Sequence, residues 1–341
     1  MLNYRKTYFD PAKLPRFQRV DSAQREDWAY AASPGAQGQQ ADEVFVFAQE
    51  AVLAVNIALA TKRPLLVVGE PGSGKTSLGR FASSALGRIF YRHTVSSRTQ
   101  SSDLLSAFDA VRRLANAQAG EPDLDPRHYV VPGALWWAMS PRTAQQRGLV
   151  EIESRRQRID PGLPPLATAQ AGPAEAGSRA ALLVDEIDKA DPDVPNDLLE
   201  ALDERRFTVP ETNDVITSER DDLLVIFTTN GEREMPPAFL RRCVTLELPP
   251  PTRDWLVDIA RRRHGAADAP LFERIAAATM EARKAARDES RRPPGTSEYL
   301  DAVSACLGLA VDRSAAAQQA LLDLVTEATL GKRSVQRGAG D

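Results

Sequence analysis

The sequence predicts an α/β fold, a parallel sheet flanked by helices and followed by a small α-helical lid. Three observations predict it. Short apolar runs alternate with helix-periodic segments. One run feeds directly into a glycine-rich loop. Beyond the triple proline at 249–251 the pattern becomes wholly helical.

The elements follow in chain order. The first forty residues are polar and broken by Pro and Gly, which suggests an extended arm packed on the body or a neighbour. Apolar residues then recur at helical spacing over about 49–60. The run PLLVV (64–68) reads as a buried strand, and a helix is expected over 76–86. Residues 98–118 start with cap-type residues and continue with helical periodicity. HYVVPGALWWAMS reads as a strand end or turn feeding a buried helix, with Trp136 and Trp137 in the core. Residues 141–179 are charged and rich in Gly, Pro and Ala, the composition of an insertion ending in a loop. AALLV (180–184) is a second buried strand, and a helix follows over 194–204. RRFTVPETNDVITSE reads as a hairpin. LLVIFT (223–228) is a third buried strand. Helices are expected over about 253–264, 268–289, 298–311 and 315–330.

Composition sets broad bounds. The 341 residues suit one large domain and a smaller one. Apolar residues at 43% and charged residues at 26% are ordinary for a globular protein. A net charge of -4 gives no global attraction to nucleic acid or anionic membrane, although a local basic groove is compatible with it. Neither the start of the chain nor any internal stretch has the apolar run of a signal peptide or a membrane span. Cys243 and Cys306 form no zinc spacing and suggest no disulfide framework. His93, His128 and His264 have no ligand spacing. A cytoplasmic location is the simplest expectation.

Four constellations carry chemistry. Gly69-Glu70-Pro71-Gly72-Ser73-Gly74-Lys75-Thr76 completes the pattern G-x-x-x-x-G-K-[ST]. Its glycines let successive backbone N–H groups turn toward phosphates. Lys75 adds a charge, Thr76 offers a hydroxyl to Mg²⁺, and the following helix directs its positive end at the same anion. With Ser77, these are the residues expected to hold the nucleotide. Second, the strand ending Val184-Asp185-Glu186 suits the other half of such a site. Asp185 would hold Mg²⁺ through water, and Glu186 would orient and deprotonate the attacking water. Third, Asn230 lies just past the strand LLVIFTT. It suits positioning of that water, and also a turn before Gly231. Fourth, Arg241-Arg242 closes a short helical segment. The pair reads either as a solvated helix end or as an arginine finger at Arg242, acting on a neighbouring subunit's phosphoryl group.

GEPGSGKT, LLVDEIDKA, LLEALDERRFTVPE and FTTNGEREMPPAFLRRC together resemble the AAA+ ATPases of the MoxR type, from about Val44 to Pro250. The resemblance implies a P-loop AAA+ sheet with its helical lid, and an ATPase using ATP and Mg²⁺. It divides the chain into an arm (1–43), a nucleotide-binding domain (44–250, with the insertion at about 141–179) and a lid (251–341). It makes Asn230 the sensor 1 residue and Arg242 the trans finger. It places an insertion in the second helix after Ser102 and a pre-sensor hairpin around Glu211–Asn213.

The same resemblance implies a homo-oligomeric ring, usually a hexamer, that remodels or activates a protein partner in chaperone-like fashion. That partner often carries a von Willebrand A domain. Two features depart from the family: the long insertion, and a lid motif, RRPPGTSEYLDAV, with no arginine on the helix after its turn. Arg292 lies just before that turn. A nucleic-acid-directed motor of the restriction type and a nucleotide-switched assembly scaffold are the competing expectations.

Overall fold

The computed structural model describes residues 6–14, 17–22, 25–31, 44–148 and 179–309. Most of the insertion (149–178) and the helix expected at 315–330 lie outside them.

In chain order the elements are β1 (Phe17–Ser22), β2 (Arg25–Ala31), β3 (Val44–Phe47), α1 (Gln49–Thr61), β4 (Leu65–Val68), α2 (Lys75–Ala85) and β5 (Ile89–Thr94). Then come α3 (Ser101–Leu105), β6 (Ser106–Phe108), α4 (Ala110–Gln118), β7 (Val130–Pro132), α5 (Ala134–Met139), α6 (Pro141–Gln145) and β8 (Ala180–Asp185). The remainder is α7 (Val194–Glu204), β9 (Arg206–Thr208), β10 (Val215–Thr217), β11 (Leu223–Thr229), α8 (Pro237–Arg242), β12 (Val244–Glu247), α9 (Arg253–His264), α10 (Ala269–Asp288) and α11 (Thr296–Leu309).

The described residues form two compact units. The first contains a five-stranded sheet in the order β12-β4-β11-β8-β5. All four pairings are parallel. Central strands of such a sheet are covered on both faces and read as unbroken apolar runs. Thus β8 is buried along its whole length, and β11 is buried beyond its first residue. These runs, with β4, are the three strands expected from sequence. The two edge strands were not expected. β5 (IFYRHT) and β12 (VTLE) are half polar, because an edge is covered less completely.

One core cluster joins the sheet to α5 and α7. Every residue of α5 is buried, as expected for a helix apolar all round. The Trp136 ring meets Phe207 edge-on, and its indole N–H donates to Thr143 Oγ1 at 2.9 Å. Trp136 and Trp137 are therefore core residues. The hairpin at Glu211–Asn213 is formed by antiparallel β9 and β10.

The helix expected over 98–118 is interrupted. Ser106–Phe108 leaves it to pair with Val130–Pro132. Gly133 permits the approach, since a Cβ there would lie 2.3 Å from the Leu104 backbone. Asp109 restarts the helix by accepting the Arg112 N–H at 2.9 Å.

Ahead of α1, β1 and β2 form an antiparallel hairpin. The preceding segment is fixed by buried Asn56. Its Oδ1 accepts the N–H groups of Tyr8 and Phe9, while its Nδ2 donates to the Phe9 and Val52 carbonyls. Phe9 packs edge-on against Phe17 and Phe47.

The second unit holds 44–46, the loop Gly69–Lys75 and the chain from Leu248. Helices α9, α10 and α11 enclose Leu256, Phe272, Ile275, Tyr299 and Val303. Thr252 caps α9 by accepting the Trp255 N–H at 3.3 Å. Among the described residues, no helix is long and apolar enough to cross a membrane.

Candidate active site

The sheet brings an acidic centre together in the first unit. Asp185 ends β8 and is buried. Thr76, in the first turn of α2, donates its hydroxyl to both Asp185 oxygens, 3.0 Å each. Thr228 of the adjacent β11 donates to Oδ1 at 2.6 Å. Arg92 of β5 donates to Oδ2 at 2.6 Å. One carboxylate thus collects donors from α2 and from the strands on both sides of its own.

Glu186 follows in a left-handed conformation, φ 62°. This is an uncommon backbone state for a residue with a Cβ. The Glu186 N–H donates to Thr228 Oγ1 at 2.9 Å. The carboxylate then receives two donors: Lys189 Nζ on Oε2 at 2.6 Å and Asn230 Nδ2 on Oε1 at 3.4 Å. The hydrogen bond that Lys189 donates to Glu186, and the charge of that carboxylate, raise the Lys189 pKa against the opposing effect of burial. Asn230 is itself held in place, because buried Asp188 accepts the N–H groups of Asn230 and Glu232 at 3.1 Å each.

The phosphate-loop residues lie in the second unit. Gly72 and Gly74 have φ of 78° and 93°, which only glycine adopts freely. Lys75 Nζ donates to the loop's own carbonyls, Gly69 at 2.7 Å and Glu70 at 2.9 Å. Glu70 turns its carboxylate toward α10, where Arg283 and Arg287 donate to it. The Gly72 carbonyl accepts the Thr296 N–H at 3.0 Å. Gly69, Pro71 and Ser73 complete the loop, and Ser77 stands in the first turn of α2.

Hard oxygen donors suit Mg²⁺, which needs few protein ligands because phosphate and water supply the rest. The hydroxyl of Thr76 and the carboxylate of Asp185 fit that ion. Among the described residues, no cluster of three or more His, Cys, Asp or Glu side chains could hold a metal without such help.

A family profile, the AAA domain of the dynein-related subfamily, matches residues 64–243. The chain belongs to this AAA family. A search of curated proteins found no match.

Members of the AAA+ class generally hydrolyse ATP, and the matched span runs from β4 to the end of α8. Arg242, near the end of the matched span, lies 3.5 Å from Asp203 and is half-exposed. Its carbonyl, with those of Arg241 and Cys243, accepts from the Arg63 guanidinium. Those are helix-end carbonyls that lack partners within α8. Arg292 pairs at 3.6 Å with Glu298. The sequence reading missed Thr228, Arg92, Lys189 and Asp188 around the acidic centre of this AAA domain. A threonine at a strand end, two residues before Asn230, was the available signal for Thr228; Arg92 lay in a strand that was not expected.

Proposed function

We propose that the chain binds and hydrolyses ATP with Mg²⁺ at subunit boundaries of a ring, and uses turnover to remodel or activate a protein partner. This is the mode of action of MoxR-type ATPases. The observation that most supports the reading is the arrangement at the C-terminal ends of the adjacent central strands β8 and β11 of Asp185, held by Thr76 and Thr228, beside Glu186, held by Asn230.

In this reading the loop N–H groups and Lys75 bind the phosphates. Thr76 and Asp185 would hold Mg²⁺, which supplies charge to offset that developing on the phosphate oxygens. Glu186 accepts the proton of the attacking water, and Asn230 fixes the direction of the Glu186 carboxylate. Lys189 donates to the same carboxylate and must release it when water is bound. Arg242, on the exposed end of α8, stabilises the transferring phosphoryl group in the neighbouring subunit. The partner in this reading carries a von Willebrand A domain, and the ring is a hexamer.

Steady-state ATP hydrolysis by the wild type, Lys75→Ala and Glu186→Gln tests the chemistry. Both variants are expected to lose turnover, and wild-type rates in either would refute the mechanism. Mixing Arg242→Ala with Glu186→Gln chains tests the trans finger, because only mixed boundaries combine an intact Glu186 with an intact Arg242. Activity should return on mixing. Turnover stimulated by DNA, with binding that weakens steeply in salt, would favour a nucleic-acid motor instead.

A further inference from the structure

Glu70 belongs to the phosphate loop by sequence, yet its side chain is engaged by α10 within the same unit. Arg283 Nη2 donates to Oε2 at 2.5 Å and Arg287 Nη2 to Oε1 at 3.0 Å. Their spacing of four residues places both arginines on one face of the helix. Arg283 is buried, and its Nη1 also donates to the Pro294 carbonyl at 2.5 Å. A guanidinium removed from water needs an anionic partner, since an unpaired buried charge is strongly destabilising. Glu70 is that partner.

A second brace reaches the loop two residues later. Beyond the Thr296 N–H bond to Gly72, the two backbones nearly touch: a Cβ on Gly295 would fall 2.7 Å from the Gly72 Cα. Arg283 links the two braces, because it contacts Glu70 with one nitrogen and the residue before Gly295 with the other. Affinity for an anion in such a loop depends on its N–H groups being oriented before binding; otherwise the ordering must be supplied from the binding energy.

We propose that Arg283 and Arg287 are positioning residues for nucleotide binding, holding the phosphate loop through Glu70 in the shape its ligand requires. The inference rests on the ATP-binding reading above.

The test is equilibrium binding of a fluorescent ADP analogue with Mg²⁺ to the full chain, in the wild type, Glu70→Gln, Arg283→Gln, the double variant and Lys75→Ala. Glu70→Gln and Arg283→Gln should each weaken binding about tenfold, the scale of one hydrogen bond between charged groups. The double variant should bind within about twofold of the weaker single, because both act through one contact. A merely structural role for Arg283 would instead give losses that multiply. Without nucleotide, Glu70→Gln should melt a few degrees below the wild type, because it leaves buried Arg283 with a neutral partner, so binding is compared well below the lower melting point. Should Arg283→Gln fail to fold, Arg287→Gln at an exposed position completes the same cycle.

Binding by Glu70→Gln that is tighter than, or within twofold of, the wild type overturns the proposal, as do losses that multiply. If the wild type binds while Lys75→Ala does not, and Glu70→Gln keeps full affinity, the positioning role alone fails. If the wild type binds no nucleotide, the ATP-binding reading fails with it.

Discussion

The Thr228 hydroxyl donates to Asp185 Oδ1 across 2.6 Å, with both residues buried. The same oxygen of Thr228 accepts the Glu186 N–H. One hydroxyl therefore fixes two consecutive acids. Thr228→Val keeps the shape and removes both bonds. It should destabilise the fold by about 1.5–3 kcal/mol, the range for losing a hydrogen bond to a charged group in the interior. Urea unfolding with an unchanged m-value checks it, and a loss below about 0.5 kcal/mol would show that the bond contributes little.

Gly295→Ala should be more costly than its size suggests. The added methyl meets the Gly72 backbone, which cannot rotate away as a flexible side chain would. A loss of about 1–3 kcal/mol is expected for such overpacking, accompanied by weaker nucleotide binding. Gly308→Ala, where a Cβ meets nothing within 4 Å, is the control and should be stable. Thermal melting of the two variants side by side separates crowding from the general effect of removing a glycine.

Acid should act on the Glu70 pair. Burial raises the Glu70 carboxyl, but hydrogen bonds and charge from Arg283 and Arg287 outweigh it and hold the group below its ordinary 4.5. The folded state therefore binds this proton less tightly than the unfolded chain does. Its contribution to stability is full above pH 4.5 and is lost as pH falls through the lower folded value. The wild type should accordingly lose stability more steeply than Glu70→Gln below pH 4.5. Parallel acid-unfolding curves for the two proteins would contradict this.

Cys243 should be inert in the folded chain. Burial pushes its thiol up to about 12, with Arg63 opposing the shift and Asp203 adding to it. Since the thiolate is the nucleophile, almost none exists near pH 8. A disulfide exchange reagent should modify Cys243 no faster than the protein unfolds, and denaturant should release it. Rapid labelling of Cys243 in native protein would show that the α8 end opens on its own.

Legibility in the sequence follows burial. Strands β4, β8 and β11 were readable because a covered central strand must be apolar on both faces. β5 and β12 were not, because edge strands carry the mixed residues that also mark loops. Residues 98–118 showed helical periodicity, but the switch to β6 depends on pairing with Val130–Pro132, which is distant in sequence. Asp109, a cap residue in mid-segment, was the local sign of the break. The phosphate loop and Asp185-Glu186 stand out in the sequence because the chemistry proposed for them demands particular residue types at fixed spacing. The partners of Glu70, and Lys189 beside Glu186, were not legible, since an arginine or lysine reads alike until the fold places it.

The loop Gly69–Lys75 and the helices beyond Leu248 make up one unit, and this bears on how the chain can be dissected. The triple proline looks like a natural place to cut. A fragment ending there would retain every residue of the glycine-rich motif while discarding Arg283, Arg287 and Thr296, which hold it. Such a fragment would carry an intact signature and a slack loop, so the minimal piece for studying ligand capture runs at least through α11.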